Sequence, residues 1–208
     1  MKFYRRIIDK LNCLYIKVRY RYVSFKNAVL YNISFENQGN HNTIEIGNHS
    51  SLRNCKFRFF GSNNHVIIGA RTRLNDLTFW IGEDYNKISI GNDCWLLGGE
   101  LAACEGTSIL IGDNNMFSHS LLVRTSDSHS ILDEKGNRIN CAQDIIIGNH
   151  VWIGLQVLIL KGVVISDNCI VGARSIVTSK SPHNNNCIIL GAPAKIVKEG
   201  VSWNIDRL

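Results

Sequence analysis

Asp127 and His129 stand two residues apart in TSDSHSI (residues 125–131), among small hydroxyl residues. Histidine, with an unperturbed pKa of ~6.5, accepts a proton near neutral pH. A neighbouring carboxylate can fix its tautomer and stabilise the imidazolium that forms. Asp127 is the candidate for that role, although residues i and i+2 need not meet and a backbone carbonyl can orient the ring instead. The same letters also suit a surface loop in which Asp and Ser make turn hydrogen bonds. Arg124 and Arg138 flank the pair, placed either to meet an acidic substrate or to hold the loop. Trp152 in NHVWIG is the third side chain with chemistry to offer, a large apolar ring with one N–H donor.

The elements that must carry these residues are repeats. NHNTIEIGN, NNHVIIGA, YNKISIGN, GTSILIGD and AQDIIIGN share one pattern, with glycines at 47, 69, 91, 112 and 148. The steps are near 22 residues until the last, which is much longer. Beyond it apolar residues recur every six positions at Ile147, Ile153, Ile159, Ile165, Val171 and Val177, with Val151, Val157, Val163, Cys169 and Ser175 at the fifth position of each hexad. Short strands that each send a bulky and a smaller side chain inward fit this period, and a 3.6-residue helix does not. Three hexads make one turn of a solenoid. Trp152 occupies the outward sixth position, and Leu158, Val164, Ile170 and Ile176 follow it there, an apolar row that calls for a partner. Turns are expected to use Gly and Asn, which tolerate left-handed backbone.

The long step leaves an excursion of roughly 15 residues beyond one coil, around 124–142, and long loops inside a compact repeat are often functional. It contains Asp127 and His129.

Charge separates the chain into parts. Residues 1–26 hold eight Lys and Arg against Asp9, whereas the rest is close to neutral, so the net charge of +6 belongs to an arm and whole-domain nucleic-acid binding is not indicated. In the arm, Phe3, Ile7, Leu11, Leu14 and Val18 mark one stripe of an amphipathic helix. It either rests peripherally on an anionic membrane surface or acidic polymer, or packs on the neighbouring domain. No run of 18 apolar residues and no leader pattern is read, so the expected location is cytoplasmic. Seven scattered cysteines without CxxC spacing read as reduced and mostly buried. The domains expected are an arm at 1–27, a β domain at 28–194 and a tail at 195–208.

These residues and repeats resemble the hexapeptide-repeat acyltransferases. The segments RTSDSHSILDEKGNRINCAQDIIIGNHVWIGLQVLILKGVVI, VGARSIVTSK and ILGAPAKIVKEGVSW are most similar to the bacterial polysaccharide O-acetyltransferases that modify sialic-acid capsules. The resemblance implies an all-β left-handed parallel β-helix, here with a short N-terminal helix. It implies a homotrimer with active sites at subunit clefts and direct transfer from acetyl-CoA to a hydroxyl of a glycan acceptor, without a metal. It assigns the general base to His129 and the place beside the acetyl thioester to Trp152. Ala173, Thr178, Lys195 and Lys198 would line the CoA site. The chain departs from the family pattern at Ser130, where many relatives carry proline, and at Ser179, where a lysine is often found.

Three other readings share the fold. An antibiotic acetyltransferase would keep the histidine, a zinc-dependent hydratase would need His119, His129 and His150 to converge, and a glycan-binding solenoid without catalysis would need neither Trp152 nor the interrupted coil.

Overall fold

A six-residue hydrophobic period is satisfied when the chain turns a corner at every hexad. The computed structural model describes residue 11 and residues 13–181 and 184–206. Among them, short strands stack in three sheets of seven, nine and seven strands. Val23–Phe25 begins the first face, Val29–Tyr31 the second and Ser34–Asn37 the third; Thr43–Ile46 then returns to the first and pairs in parallel with Val23–Phe25. Repeated, this makes the expected β-helix, a solenoid of about 8 turns.

The inward positions are those of the six-residue count. Ile147, Ile153, Ile159, Ile165, Val171 and Val177 are all buried, as are Val151, Val157, Val163, Cys169 and Ser175. Each large aliphatic side chain removed from water contributes about 1.5–3 kcal/mol. Phe35, Phe57 and Phe79 stack in the first coils at 5.5 and 4.5 Å between ring centroids. Five of the seven cysteines are buried, Cys141 is exposed, and all are free.

The outward positions correct one expectation. Leu158 and Ile176 lie on the third face, Val164 on the first, and Trp152 and Ile170 on the second. They form no single apolar row, because each hexad moves the chain to the next face and only every third hexad returns to the same one.

The repeat glycines serve close approach, with Asn and other residues making the left-handed turns. Gly47, Gly69, Gly91, Gly112 and Gly148 have no positive φ, whereas Asn54, Arg71, Glu105, Asn114 and His150 do. A Cβ on Gly47 would stand 2.5 Å from the Ala70 nitrogen and 2.6 Å from the Gly69 carbonyl carbon, both backbone atoms of the next coil. Gly47→Ala should therefore cost about 3 kcal/mol by overpacking, read as a lowered midpoint in urea unfolding. The left-handed corner residues point outward and are tied along the axis: Asn54 donates to Asp76 at 2.9 Å and Arg71 pairs with Asp93.

The ends differ from the expected boundaries. Val23–Phe25 is already the first rung, inside the stretch assigned to the arm, and Ala194–Glu199 adds an antiparallel strand to the second face. Residues 13–19 are helical, and Ile16 enters the core at the open end of the solenoid with Tyr20 packed against it. The expected stripe instead faces outward, with Leu11, Leu14 and Val18 exposed; Phe3 and Ile7 lie outside the described residues. Ile16 thus caps the first rung, as the exposed end of a solenoid requires. No helix among the described residues is long and apolar enough to cross a membrane.

Candidate active site

A ladder of buried polar side chains leads to the excursion. The backbone N–H groups of Asn64, Asn86 and Thr107 donate to the side-chain oxygens of Asn42, Asn64 and Asn86 at 2.9, 2.7 and 3.0 Å. The Thr107 hydroxyl then meets that of Thr125 at 2.6 Å. Buried amides need such partners, so the ladder fixes one corner of the successive coils from Asn42 to Thr125. At Thr125 the chain leaves that corner, between the third-face strand Leu121–Arg124 and the first-face strand Ile145–Ile147.

The excursion is held by its own polar groups. Its tip is a hairpin in which Leu132 bridges Arg138 and the Ile139 N–H donates to the Ile131 carbonyl at 2.9 Å. Arg138 clasps Glu105 with two hydrogen bonds of 2.6 and 2.9 Å, and the Ser126 hydroxyl also donates to Glu105. Asn140 joins both arms: its Nδ2 donates to the His129 carbonyl at 2.8 Å and to Asp127 Oδ2 at 2.9 Å, while its Oδ1 accepts from the Ile131 N–H at 2.8 Å. Lys161 closes the base, donating to Asp127 Oδ2 at 2.5 Å and to the Asn140 carbonyl at 2.8 Å.

Asp127 thus pairs with Lys161 and Asn140 rather than with the His129 ring. The hydrogen bond from Lys161, then that from Asn140, holds its carboxyl below the usual range. The exposed His129 imidazole makes no hydrogen bond to the described residues, whereas its backbone carbonyl is held by Asn140. Arg138 is engaged in holding the loop. Arg124 differs, because its Nε is buried without a partner among the described residues and its Nη2 only approaches Ser128 Oγ at 3.5 Å.

The Arg138 guanidinium, followed by the Ser126 hydroxyl, lowers the Glu105 pKa to about 2. A carboxyl depressed in the folded state stabilises that state above its unfolded value of ~4.3, and the contribution is lost as pH falls through the folded value. The loop should stay closed at neutral pH and loosen between about pH 4 and pH 2. Pepsin cleavage near Leu132 should rise over that window, whereas Glu105→Gln should already admit trypsin at Lys135 and Arg138 at pH 7.

Trp152 sits on the second face, outward and partly exposed, in the strand Trp152–Ile153. The corner carrying His129 joins the third and first faces, so it lies across the solenoid from the second. One chain therefore does not bring His129 and Trp152 together. Parallel register runs from Trp152 to Ile170 and Ile188, and the terminal strand continues the row to Lys198. At about 4.8 Å per strand this spans roughly 14 Å. Ala173 is exposed just after the strand Ile170–Val171, Thr178 follows Ile176–Val177, and Lys195 and Lys198 are exposed on Ala194–Glu199. All four lie on the C-terminal side of the Trp152 coil.

His119, His129 and His150 fall at three different corners. Among the described residues no three His, Cys, Asp or Glu side chains gather as a metal site. Sequence reasoning missed Glu105, Asn140 and Lys161. Lys161 was accessible by counting, because the long step that separates Ile111 from Ile147 also separates Val123 from its register partner Ile159 and so brings Lys161 beneath Thr125. It also missed Trp203, whose Nε1 donates to the His150 carbonyl at 2.8 Å and whose ring stacks on His150.

No protein-family model matches the chain. It is 37% identical over 191 residues to a polysialic acid O-acetyltransferase of Neisseria meningitidis, covering 81% of this chain and 88% of that one. Among solved structures, the polySia-specific acetyltransferase NeuO superposes with a TM-score of 0.67 at 28% identity, over 84% of this chain and 83% of NeuO. The polysialic acid O-acetyltransferase OatWY superposes with a TM-score of 0.59 at 30% identity, over 87% and 92% of the two chains.

Proposed function

This chain belongs to the family of the bacterial polysialic acid O-acetyltransferases, and on that premise we propose that it transfers acetyl from acetyl-CoA to a hydroxyl of a sialic-acid glycan, with His129 as general base. The observation that carries this reading is the placement of His129: an exposed imidazole, without a hydrogen bond to the described residues, on a loop whose backbone is clamped at both arms.

In the reaction, His129 takes the proton of the sugar hydroxyl as that oxygen attacks the thioester carbonyl. The C–O bond forms, the tetrahedral oxyanion collapses, the C–S bond breaks, and the sulfur leaves with the proton returned by the imidazolium. Proton transfer of this kind contributes ~10²–10⁴-fold. The Trp152 indole N–H is a candidate donor to the oxyanion, a contact worth on the order of 3 kcal/mol when aligned. The pantetheine arm would lie along the row from Trp152 towards Lys198, with Ala173 beside it and Lys195 and Lys198 near the phosphates, whereas Thr178, on the corner beneath Arg124, would reach only a CoA seated on the neighbouring copy. Arg124, which makes no ion pair among the described residues, is the better candidate for the sugar carboxylate, since Arg138 is already paired with Glu105.

The separation of His129 from Trp152 within one chain supports a cleft completed by a second copy, in a closed homotrimer. Ile131, Leu132 and Ile139 are exposed on the loop, and Trp152 and Leu155 are exposed on or just after the second face; such apolar groups suit a subunit contact. The deciding experiment incubates the protein with acetyl-CoA and oligosialic acid and follows both free thiol and glycan mass. The reading requires acetylated sugar and thiol in equal amounts, and transfer to an antibiotic with none to the glycan would remove it.

A further inference from the structure

The second face carries a groove that the reaction as written leaves unused. It encloses about 220 Å³. One wall is Trp95, Met116 and Asn114, and the other is the C-terminal tail, with Trp203 and Asn204. Trp95, Met116 and Trp152 are in register on adjacent parallel strands, so Trp95 stands two strand spacings, about 10 Å, from Trp152. The tail is seated by its bond to the His150 carbonyl and by rings lying 4.3 Å apart at 11°, which bring the Trp203 centroid to 6.2 Å from that of Trp152. The groove therefore opens directly beside Trp152, towards the N-terminal coils.

We propose that this groove is an acceptor subsite, holding a pyranose ring of the glycan chain next to the sugar that is acetylated. The proposal rests on the reading given under Proposed function. A sugar ring has an apolar C–H face and a rim of hydroxyls. The electron-rich faces of Trp95 and Trp203 match the first, and the carboxamides of Asn114 and Asn204 offer donors and acceptors to the second. Asp93, the carboxylate in the lining, is already paired with Arg71, so an acidic sugar meets no free negative charge there. Position gives a second argument. The residues assigned to the donor lie on the C-terminal side of the Trp152 coil, which leaves the N-terminal side to the acceptor.

The test uses the full chain in its native assembly, with oligosialic acid and free sialic acid as probes, measuring binding by calorimetry and transfer by product mass. Trp95→Ala and, independently, Asn204→Ala on the tail should each weaken oligomer binding, Trp95→Ala by about tenfold or more. Trp95→Phe should retain most of it, and the KM for acetyl-CoA should not move. Trp80→Ala, on the third face, should leave oligomer binding unchanged. Equal binding by wild type and Trp95→Ala, or a raised KM for acetyl-CoA in its place, overturns the subsite. Wild type that acetylates free sialic acid but binds the oligomer no better than the monomer overturns the subsite and leaves the activity standing. Failure to acetylate either probe removes the activity and the subsite together. Asn204 lies outside the strands, so its effect cannot be ascribed to a collapsed solenoid.

Discussion

His129→Ala should lower acetyl transfer by ~10²–10⁴-fold while leaving the solenoid and acetyl-CoA binding intact, because the ring is exposed and makes no hydrogen bond to the described residues. The larger consequence comes from where Trp152 lies. If a working site takes its histidine from one chain and its tryptophan from a neighbour, two inactive variants must complement each other. His129→Ala chains still carry Trp152, and Trp152→Ala chains still carry His129. Co-expressed in equal amounts and assembled at random, about a quarter of the clefts in a cyclic trimer receive one intact copy of each. Activity of the mixture should then return to about a quarter of wild type, whereas the two purified variants mixed without subunit exchange should stay inactive. A mixture that stays inactive despite proven mixed assembly would show that both groups act within one chain, or that Trp152 takes no part.

The fold was legible because a solenoid is written locally. Every rung repeats the same two inward positions, so counting from Ile147 to Val177 located the core without knowledge of any distant contact. The site was only half legible. His129 announced itself by interrupting the count, but its partners are set by stacking between coils, which depends on how many residues the excursion absorbs. Glu105 and Lys161 are one coil away in opposite directions and 56 residues apart in numbering. The nearness of Asp127 to His129 along the chain was misleading for the same reason: a loop clamped from the neighbouring coil turns its carboxylate towards Lys161. The outward row from Trp152 to Ile176 failed because a period of six orders residues along the chain, and three hexads must pass before the chain comes back to one face. The tail was opaque in another way, since nothing in the spacing of Trp203 ties it to His150.

Asn140→Ala should lower kcat by about 10²-fold with little change in the KM for acetyl-CoA or in thermal stability. Asn140 is buried, and its amide spans the arms of the loop, reaching the His129 carbonyl, Asp127 and the Ile131 N–H. Removing it releases the hydrogen bond that holds the His129 carbonyl, and a displacement near 1 Å of a proton-transfer group costs about that factor. The rungs beneath do not depend on it, since the excursion leaves the stack at Thr125 and rejoins it at Ile145. Asp127→Asn gives the contrast. Its side chain is 41% exposed and a carboxamide oxygen can still accept from Asn140, so the loss should stay below ~10-fold if Asp127 serves the clamp. A loss as large as that of His129→Ala, with an altered pH profile, would mean that the carboxylate reaches the imidazole during turnover. Unchanged kcat in Asn140→Ala would mean that contacts from the neighbouring subunit, rather than the clamp within the chain, fix the position of His129.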